Sequence, residues 1–362
     1  MSASQRGDAP FWWYRDTISW QSRLITKTLT PVAAVYGAVA TRRLNKPPVY
    51  TSKLPVICVG NFTAGGTGKT PLVRAICAHL QTTGHTPVIL SRGYGGSIKG
   101  QHIVDKDRDI ATQVGDEPLL LAQDNAVVVS ADRAAGARFI EANESLLKAT
   151  IIVMDDGLQN PSLRKDVRIA VVDRVRGIGN GRVIPAGPLR APISDQIYRT
   201  DIIVTVTPPD ANLTTPRPEI MGQFGIAFAF DTEILAANDT SWLKNENIVA
   251  YAGIGAPERF FKMLENYGAQ IVDRVAFPDH HTFSETEATA LLTRAKNKRA
   301  TLVTTEKDKV RLKGSVGALA ELATASRVIA ITATLDVHAT TAIAEILKQR
   351  FYGDRTDEII KP

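Results

Sequence analysis

Gly65-Gly66-Thr67-Gly68-Lys69-Thr70 sets one lysine and one hydroxyl directly behind a cluster of glycines. That grouping is chemistry for phosphate. Glycines let successive backbone N–H groups turn inward around phosphate oxygens, and the N-terminus of a following helix adds partial positive charge. In such a loop Lys69 reaches the β- and γ-phosphates of a nucleotide and the Thr70 hydroxyl sits on Mg²⁺. Thr63 and Ala64 open the loop, and Thr63 stands where glycine is usual. The context agrees, because residues 54–59 form an apolar, β-branched run and a helical pattern starts at Pro71. Pro71 fits the first helical turn, where a missing N–H costs nothing.

Other candidate residues lie at the ends of predicted strands. Residues 151–154 are wholly apolar and run into Asp155-Asp156-Gly157. An acidic residue closing a buried strand downstream of a phosphate loop is how such enzymes hold Mg²⁺, which assigns Asp155 beside Thr70. A strand over 88–90 runs into Ser91-Arg92-Gly93-Tyr94-Gly95-Gly96. That loop is placed for ligand contact, since open α/β sheets bind ligands there, and reads equally as a mobile surface turn. Asp116 precedes a helical pattern and reads locally as an N-cap. The Gly/Pro-rich stretch 177–192 is too long to be an ordinary connection. His280 and His281 lie in a loop without a zinc-ligand partner at i+4, so they read as solvated turn histidines.

The elements that must position these residues follow from periodicity. Short apolar runs alternate with helical patterns along both halves, which predicts α/β layers with mainly parallel sheets covered on both faces. The expected organisation is an N-terminal segment (1–45), a nucleotide-binding domain (46–210) and a smaller α/β domain (211–362) closing over the cleft. A chain of 362 residues with 44% hydrophobic and 22% charged residues can build both cores. Cys58 and Cys77 lack metal-ligand spacing and read as buried thiols in a reducing compartment. No signal peptide is apparent.

Charge is unevenly placed. Residues 1–50 hold seven Lys/Arg against Asp8 and Asp16, a net +5 out of the chain's +6. The nearly neutral remainder argues against a nucleic-acid-binding body. The same stretch carries Trp12, Trp13 and Trp20, and Trp beside Lys/Arg is the composition of a membrane interface. Its longest charge-free run, 28–41, is interrupted by Pro31 and falls short of the roughly 20 residues a crossing helix needs. The segment is therefore expected to lie in one leaflet rather than pack on the protein's own core.

Together these motifs resemble the tetraacyldisaccharide 4′-kinases of lipid A biosynthesis. The resemblance rests on Thr63 to Pro71, Ser91-Arg92-Gly93-Tyr94-Gly95, Gly115-Asp116-Glu117-Pro118 and Asp155-Asp156-Gly157-Leu158-Gln159. It continues through Pro185-Ala186-Gly187-Pro188-Leu189-Arg190, Phe277-Pro278-Asp279-His280 and Thr304-Thr305-Glu306-Lys307-Asp308, in the family's order. Thr63 is then the family's own variant, whereas Ala191 stands where the family commonly has glutamate. The resemblance implies a P-loop kinase-like fold and transfer of the ATP γ-phosphoryl group, with Mg²⁺, to the 4′-hydroxyl of an acylated glucosamine disaccharide 1-phosphate. It implies an enzyme on the cytoplasmic face of a bacterial inner membrane, with no obligate protein partner inferred. It raises Asp116 to a catalytic base paired with His280, beside Lys69. It also implies that Ser91, Arg92, Tyr94, Asp156, Gln159 and Arg190 contact the acceptor. The rival is a membrane-bound P-loop ATPase switch. Such proteins commonly carry a lysine just before the paired glycines, and Ala64 is there instead.

Overall fold

A computed structural model describes residues 10–14, 19–208 and 228–353. Its strands are β1 (Val56–Asn61), β2 (Pro87–Ser91), β3 (Gln101–Ile103), β4 (Ala126–Ser130), β5 (Ile151–Asp155), β6 (Val167–Asp173), β7 (Ile202–Thr207) and β8 (Phe228–Ala236). They continue as β9 (Asn247–Ala252), β10 (Gln270–Ala276), β11 (Thr301–Thr305), β12 (Ser326–Ile329) and β13 (Ile331–Ala333). Nine form one sheet in the order β13-β8-β7-β6-β1-β5-β2-β4-β3, and four form a second in the order β10-β9-β11-β12. Pairing is parallel except at the two edges of the large sheet, β3 with β4 and β13 with β8.

The reason is visible in the residues. β1, β2, β5 and β7 are buried at every position, as strands covered on both faces must be. On one face the helix Lys69–Thr82 packs Leu72, Val73 and Ile76 against Ile57, Val59 and Val153; on the other, Ala137 and Ile140 meet Cys58, Leu90 and Met154. In the small sheet Phe261 and Leu264 cover one face of β9, while Leu291 and Leu322 cover the other. Cys58 and Cys77 are buried free thiols, and burial pushes them up to about 11 and about 12.

Sheet membership differs from the expected division. β8, β13 and the helix Val337–Leu347, all within 211–362, belong with the large sheet, where Ile343, Ile346 and Leu347 join the core around Ile169 and Val204. The smaller unit is thus an excursion between β8 and β13, and Ala237 N–H donates to the Ala330 carbonyl where the two crossings run side by side. Which distant strand a run pairs with is a tertiary choice that periodicity does not encode. The expected boundary at 210/211 itself lies outside the described residues.

The N-terminal helix Trp20–Leu44 runs through Pro31 and is long and apolar enough to cross a membrane by length and composition. It is longer than the charge-free run 28–41 because it continues through Arg23 and Lys27 at one end and Arg42 and Arg43 at the other. One face is docked. Gly37 lies against Val183 and Pro192, and the Thr41 hydroxyl donates to Asp195 at 2.5 Å. The other face exposes Trp20, Leu24, Val32, Val35 and Val39.

Candidate active site

β1 lies between β5 and β6, so the loop after it opens at the centre of the sheet, with Val59 in register with Asp155. Gly68 supplies the N-cap of the helix Lys69–Thr82 at φ +85°, where a Cβ would come within 3.1 Å of Val206. Only glycine is at ease there. Inside the loop, Asn61 Nδ2 donates to the Gly65 carbonyl and to Thr67 Oγ1, both at 3.2 Å. Ala64 is engaged elsewhere, because its N–H donates to the Pro188 carbonyl at 2.8 Å. Thr63 is buried and bridges Leu189. Thr63 therefore anchors the loop, while Ala64, held by Pro188, lines the cavity together with Gly65 to Thr70.

Asp155 ends β5, buried beside Ser91 Oγ at 3.3 Å. Burial, then the carboxylates of Glu117 and Asp156, push it up to about 7. Next to it Asp156 takes φ +51°, a conformation non-glycine residues adopt at a cost. Its carboxylate lies 3.7 Å from Lys69 Nζ and accepts both hydrogen bonds from Arg190 Nη1 at 3.0 Å. Against the effect of burial, these two cations hold Asp156 below its usual range. Gln159 donates to the Asn61 carbonyl and to Gln196, so its amide N–H groups brace the loop.

The opposite wall comes from the small sheet. His280, at φ +58°, places Nδ1 3.0 Å from Asp116 Oδ2 and leans its ring edge on Tyr94. Asp116 begins a short helix after Gly115, whose φ of +95° lets the chain pass under the Tyr94 carbonyl; a Cβ there would sit 2.5 Å from that oxygen. His280 lines the cavity, whereas Asp116 is 7% exposed and lies behind it. The Asp116 carboxyl, which burial would raise, is instead held well below the usual carboxylate range by the His280 hydrogen bond and Arg311. His280 is raised in return, first by that same bond.

Ser91, Arg92, Tyr94, Asp155, Asp156, Gln159, Arg190 and His280 line one cleft of about 920 Å³ with the phosphate loop. Its rim includes Tyr36, Val39, Ala40 and Leu44 of the N-terminal helix. Thr70 and Asp155 are hard oxygen donors on this cleft, which suits Mg²⁺. Among the described residues no group of three or more His, Cys, Asp or Glu is gathered to hold a metal.

Several site residues were not assigned a role from sequence. Lys307 Nζ donates to Glu117 at 2.5 Å, and Arg74 of the phosphate-loop helix pairs with Glu306 at 2.9 Å. Glu306 and Lys307 lie in the motif Thr304-Thr305-Glu306-Lys307-Asp308, which is the signal for them in the sequence. Arg133, nearly fully buried, donates to the Asp155 carbonyl at 3.2 Å; its neighbours in sequence carry no cue for this. Arg259 reaches Asp173 at the end of β6 from the helix Pro257–Asn266, a pairing that only the fold creates.

A family model described as tetraacyldisaccharide-1-P 4′-kinase matches residues 25–352. A tetraacyldisaccharide 4′-kinase of Nitrobacter hamburgensis is 44% identical over 330 residues, covering 90% of this chain and 94% of that one. The one from Rhodopseudomonas palustris is 46% identical over 306 residues, 82% and 86% of the two chains. A crystal structure titled the "apo" form of LpxK from Aquifex aeolicus in complex with ATP shares the fold, with a TM-score of 0.66 over 89% of this chain and 99% of that one. Its identity is 24%. The chain belongs to the tetraacyldisaccharide 4′-kinase family.

Proposed function

We propose that this chain transfers the γ-phosphoryl group of ATP to the 4′-hydroxyl of a tetraacylated glucosamine disaccharide 1-phosphate at the surface of the bacterial inner membrane, on its cytoplasmic face. One observation carries the reading. A single cleft is lined by the phosphate loop with its Lys69, by His280, and by Tyr36, Val39, Ala40 and Leu44 of the N-terminal helix. A polar nucleotide and an acylated sugar need such an arrangement. Family membership counts against the ATPase-switch reading.

In this reading the N–H groups of Gly65 to Thr70 cradle the phosphates, and Lys69 neutralises oxygens whose charge grows during transfer. Thr70 and Asp155 would hold Mg²⁺, which would supply positive charge to offset that of the phosphates. The acceptor oxygen forms its bond to phosphorus as the bond to the β-phosphate oxygen breaks, and ADP leaves. The hydroxyl proton goes to the Asp116–His280 pair. With Nδ1–H toward Asp116, Nε2 is left as the acceptor on the cavity side, and Asp116 steadies the charge that develops. Asp116 was expected to be the base with His280 orienting it; their placement favours the pair acting with His280 in front. Ser91, Arg92, Tyr94, Asp156, Gln159 and Arg190 hold the acceptor, and the smaller unit closes over the nucleotide.

The exposed apolar face of the helix Trp20–Leu44 supports docking in one leaflet, since its other face is committed to Val183 and Pro192. The test is incubation with γ-labelled ATP, Mg²⁺ and a tetraacyldisaccharide 1-phosphate. Label in the lipid is expected; label released only as inorganic phosphate would overturn the proposal.

A further inference from the structure

The N-terminal aromatic residues were expected at a membrane interface, yet the helix Phe11–Tyr14 reaches the phosphate loop. The Tyr14 hydroxyl donates to the Ala64 carbonyl at 3.1 Å. Both indoles, Trp12 Nε1 at 3.2 Å and Trp13 Nε1 at 3.1 Å, donate to the Pro185 carbonyl. Asn180 closes the contact from the other side, donating its backbone N–H to the Trp13 carbonyl and Nδ2 to the Trp12 and Ala186 carbonyls. Gly179 is packed so closely that a Cβ would stand 2.5 Å from the Trp13 carbonyl. The same stretch grips the loop, because Pro188 accepts from Ala64 N–H and Arg190 Nε donates to the Thr63 carbonyl at 3.2 Å.

Ala64 is thus held at both its backbone groups, by Pro188 and by Tyr14, immediately before the glycines. Glycine gives that stretch its phosphate-binding shape and also the freedom to leave it. A loop that spends less time in the binding shape has an apparent affinity reduced by that fraction. Tyr14 is suited to be the clamp. Arg176 lies 5.3 Å over its ring, and burial raises its phenol, which keeps the hydroxyl a donor.

We propose that Tyr14 is a positioning residue of the nucleotide site, its hydroxyl holding the phosphate loop through Ala64, with the 179–190 segment as the shared support. The proposal concerns nucleotide affinity and holds whatever the acceptor is. It makes the N-terminal segment part of the ATP site as well as a candidate membrane contact.

The test uses the full chain, with ATP binding measured by calorimetry and melting temperature measured alongside. Tyr14→Phe keeps the ring and its packing on Arg176 and loses only the hydroxyl. ATP affinity is expected to weaken about 3- to 10-fold, the range for one net hydrogen bond, with melting close to the parent's. In turnover assays the loss belongs mainly to the KM for ATP, with kcat moving less. Asn180→Ala, which detaches the segment from its other side without touching Ala64, should also weaken ATP binding. The double variant should be little worse than the weaker-binding single one, because both act through one support. Unchanged ATP affinity in Tyr14→Phe would overturn the proposal. So would fully additive losses in the double variant, which would mean two independent effects.

Discussion

Arg311, at the end of the helix Glu306–Arg311 beside the small sheet, and Asp116, at the start of the helix Asp116–Leu121 beside the large one, meet side chain to side chain. Arg311 Nε donates to Asp116 Oδ2 at 2.9 Å, and its Nη2 donates to the same oxygen. The third guanidinium nitrogen, Nη1, donates to the Gly253 carbonyl and to Asp308, both at 2.6 Å. One buried arginine therefore fixes the carboxylate behind His280 and ties it to the small sheet. Lys307, Glu117, Asp308 and Asp279 complete the charged surroundings of this pair.

Removing that arginine should move the acid limb of the rate profile. The Asp116 carboxyl is lowered in the folded protein, so it stays charged as pH falls to well below the usual carboxylate range. In Arg311→Met the Asp116 charge loses its buried cation and acts on His280 alone, so His280 is raised further and the acid limb of kcat/KM should shift to higher pH. Melting should fall as well, since Asp308 loses a buried cationic partner, a change that costs about 3–5 kcal/mol in buried pairs. An unshifted limb would separate Arg311 from the chemistry.

Asp116→Asn keeps size and the helix start but removes the charge that steadies His280. Turnover should fall about 10²–10⁴-fold, the range for a lost general acid–base partner. The double variant with His280→Ala should be little worse than the more damaging single one, because residues acting as a unit are not additive. Nearly normal turnover in Asp116→Asn would return the residue to a purely structural role at a helix start.

Lys69 is half-buried and touches Asp156, and supports the chemistry more than the core. Lys69→Ala should lower turnover about 10²–10³-fold, as the loss of a group stabilising transition-state charge does. The circular dichroism spectrum should be unchanged. Undiminished phosphoryl transfer would place catalysis outside this loop.

Asp155 gives a stability signature without nucleotide. Its folded value is raised to about 7, so its contribution to stability is fully present below the unfolded carboxylate range and is lost as pH rises through 7. The ligand-free protein should melt higher at mildly acidic pH than at alkaline pH. Asp155→Asn should flatten that difference and melt higher than the parent at alkaline pH. An unaltered slope would mean that the buried negative charge is compensated elsewhere.

Membrane docking is best tested on the helix rather than by truncation, since truncation also removes Tyr14. Val35→Glu places a charge on the exposed apolar face, away from Gly37 and Thr41. Binding to anionic vesicles should weaken, and high salt should weaken the parent's binding, because each basic residue contributes about 1 kcal/mol near such a surface. ATP affinity should be unaffected. Equal vesicle binding by Val35→Glu and parent would assign docking to another surface.

Local sequence determined the phosphate loop, the helix after it, the buried strands β1, β2, β5, β7, β9 and β11, and Asp155 at a strand end. Each is set by neighbours within a few residues: glycines before a lysine, β-branched runs, an acid closing an apolar stretch. Asp116 and His280 were legible only as members of a combined pattern, because 164 positions separate them and neither has a local cue beyond a turn. Tertiary structure alone decided that His280 stands in front of Asp116, that Arg311 grips the same oxygen, and that β8 and β13 join the large sheet. It also decided that Tyr14 meets Ala64, which no reading of the aromatic residues as a membrane belt could supply. Hydrogen bonds and ion pairs between distant segments depend on which surfaces pack together. The chain writes its periodicity locally, but packing chooses the partners.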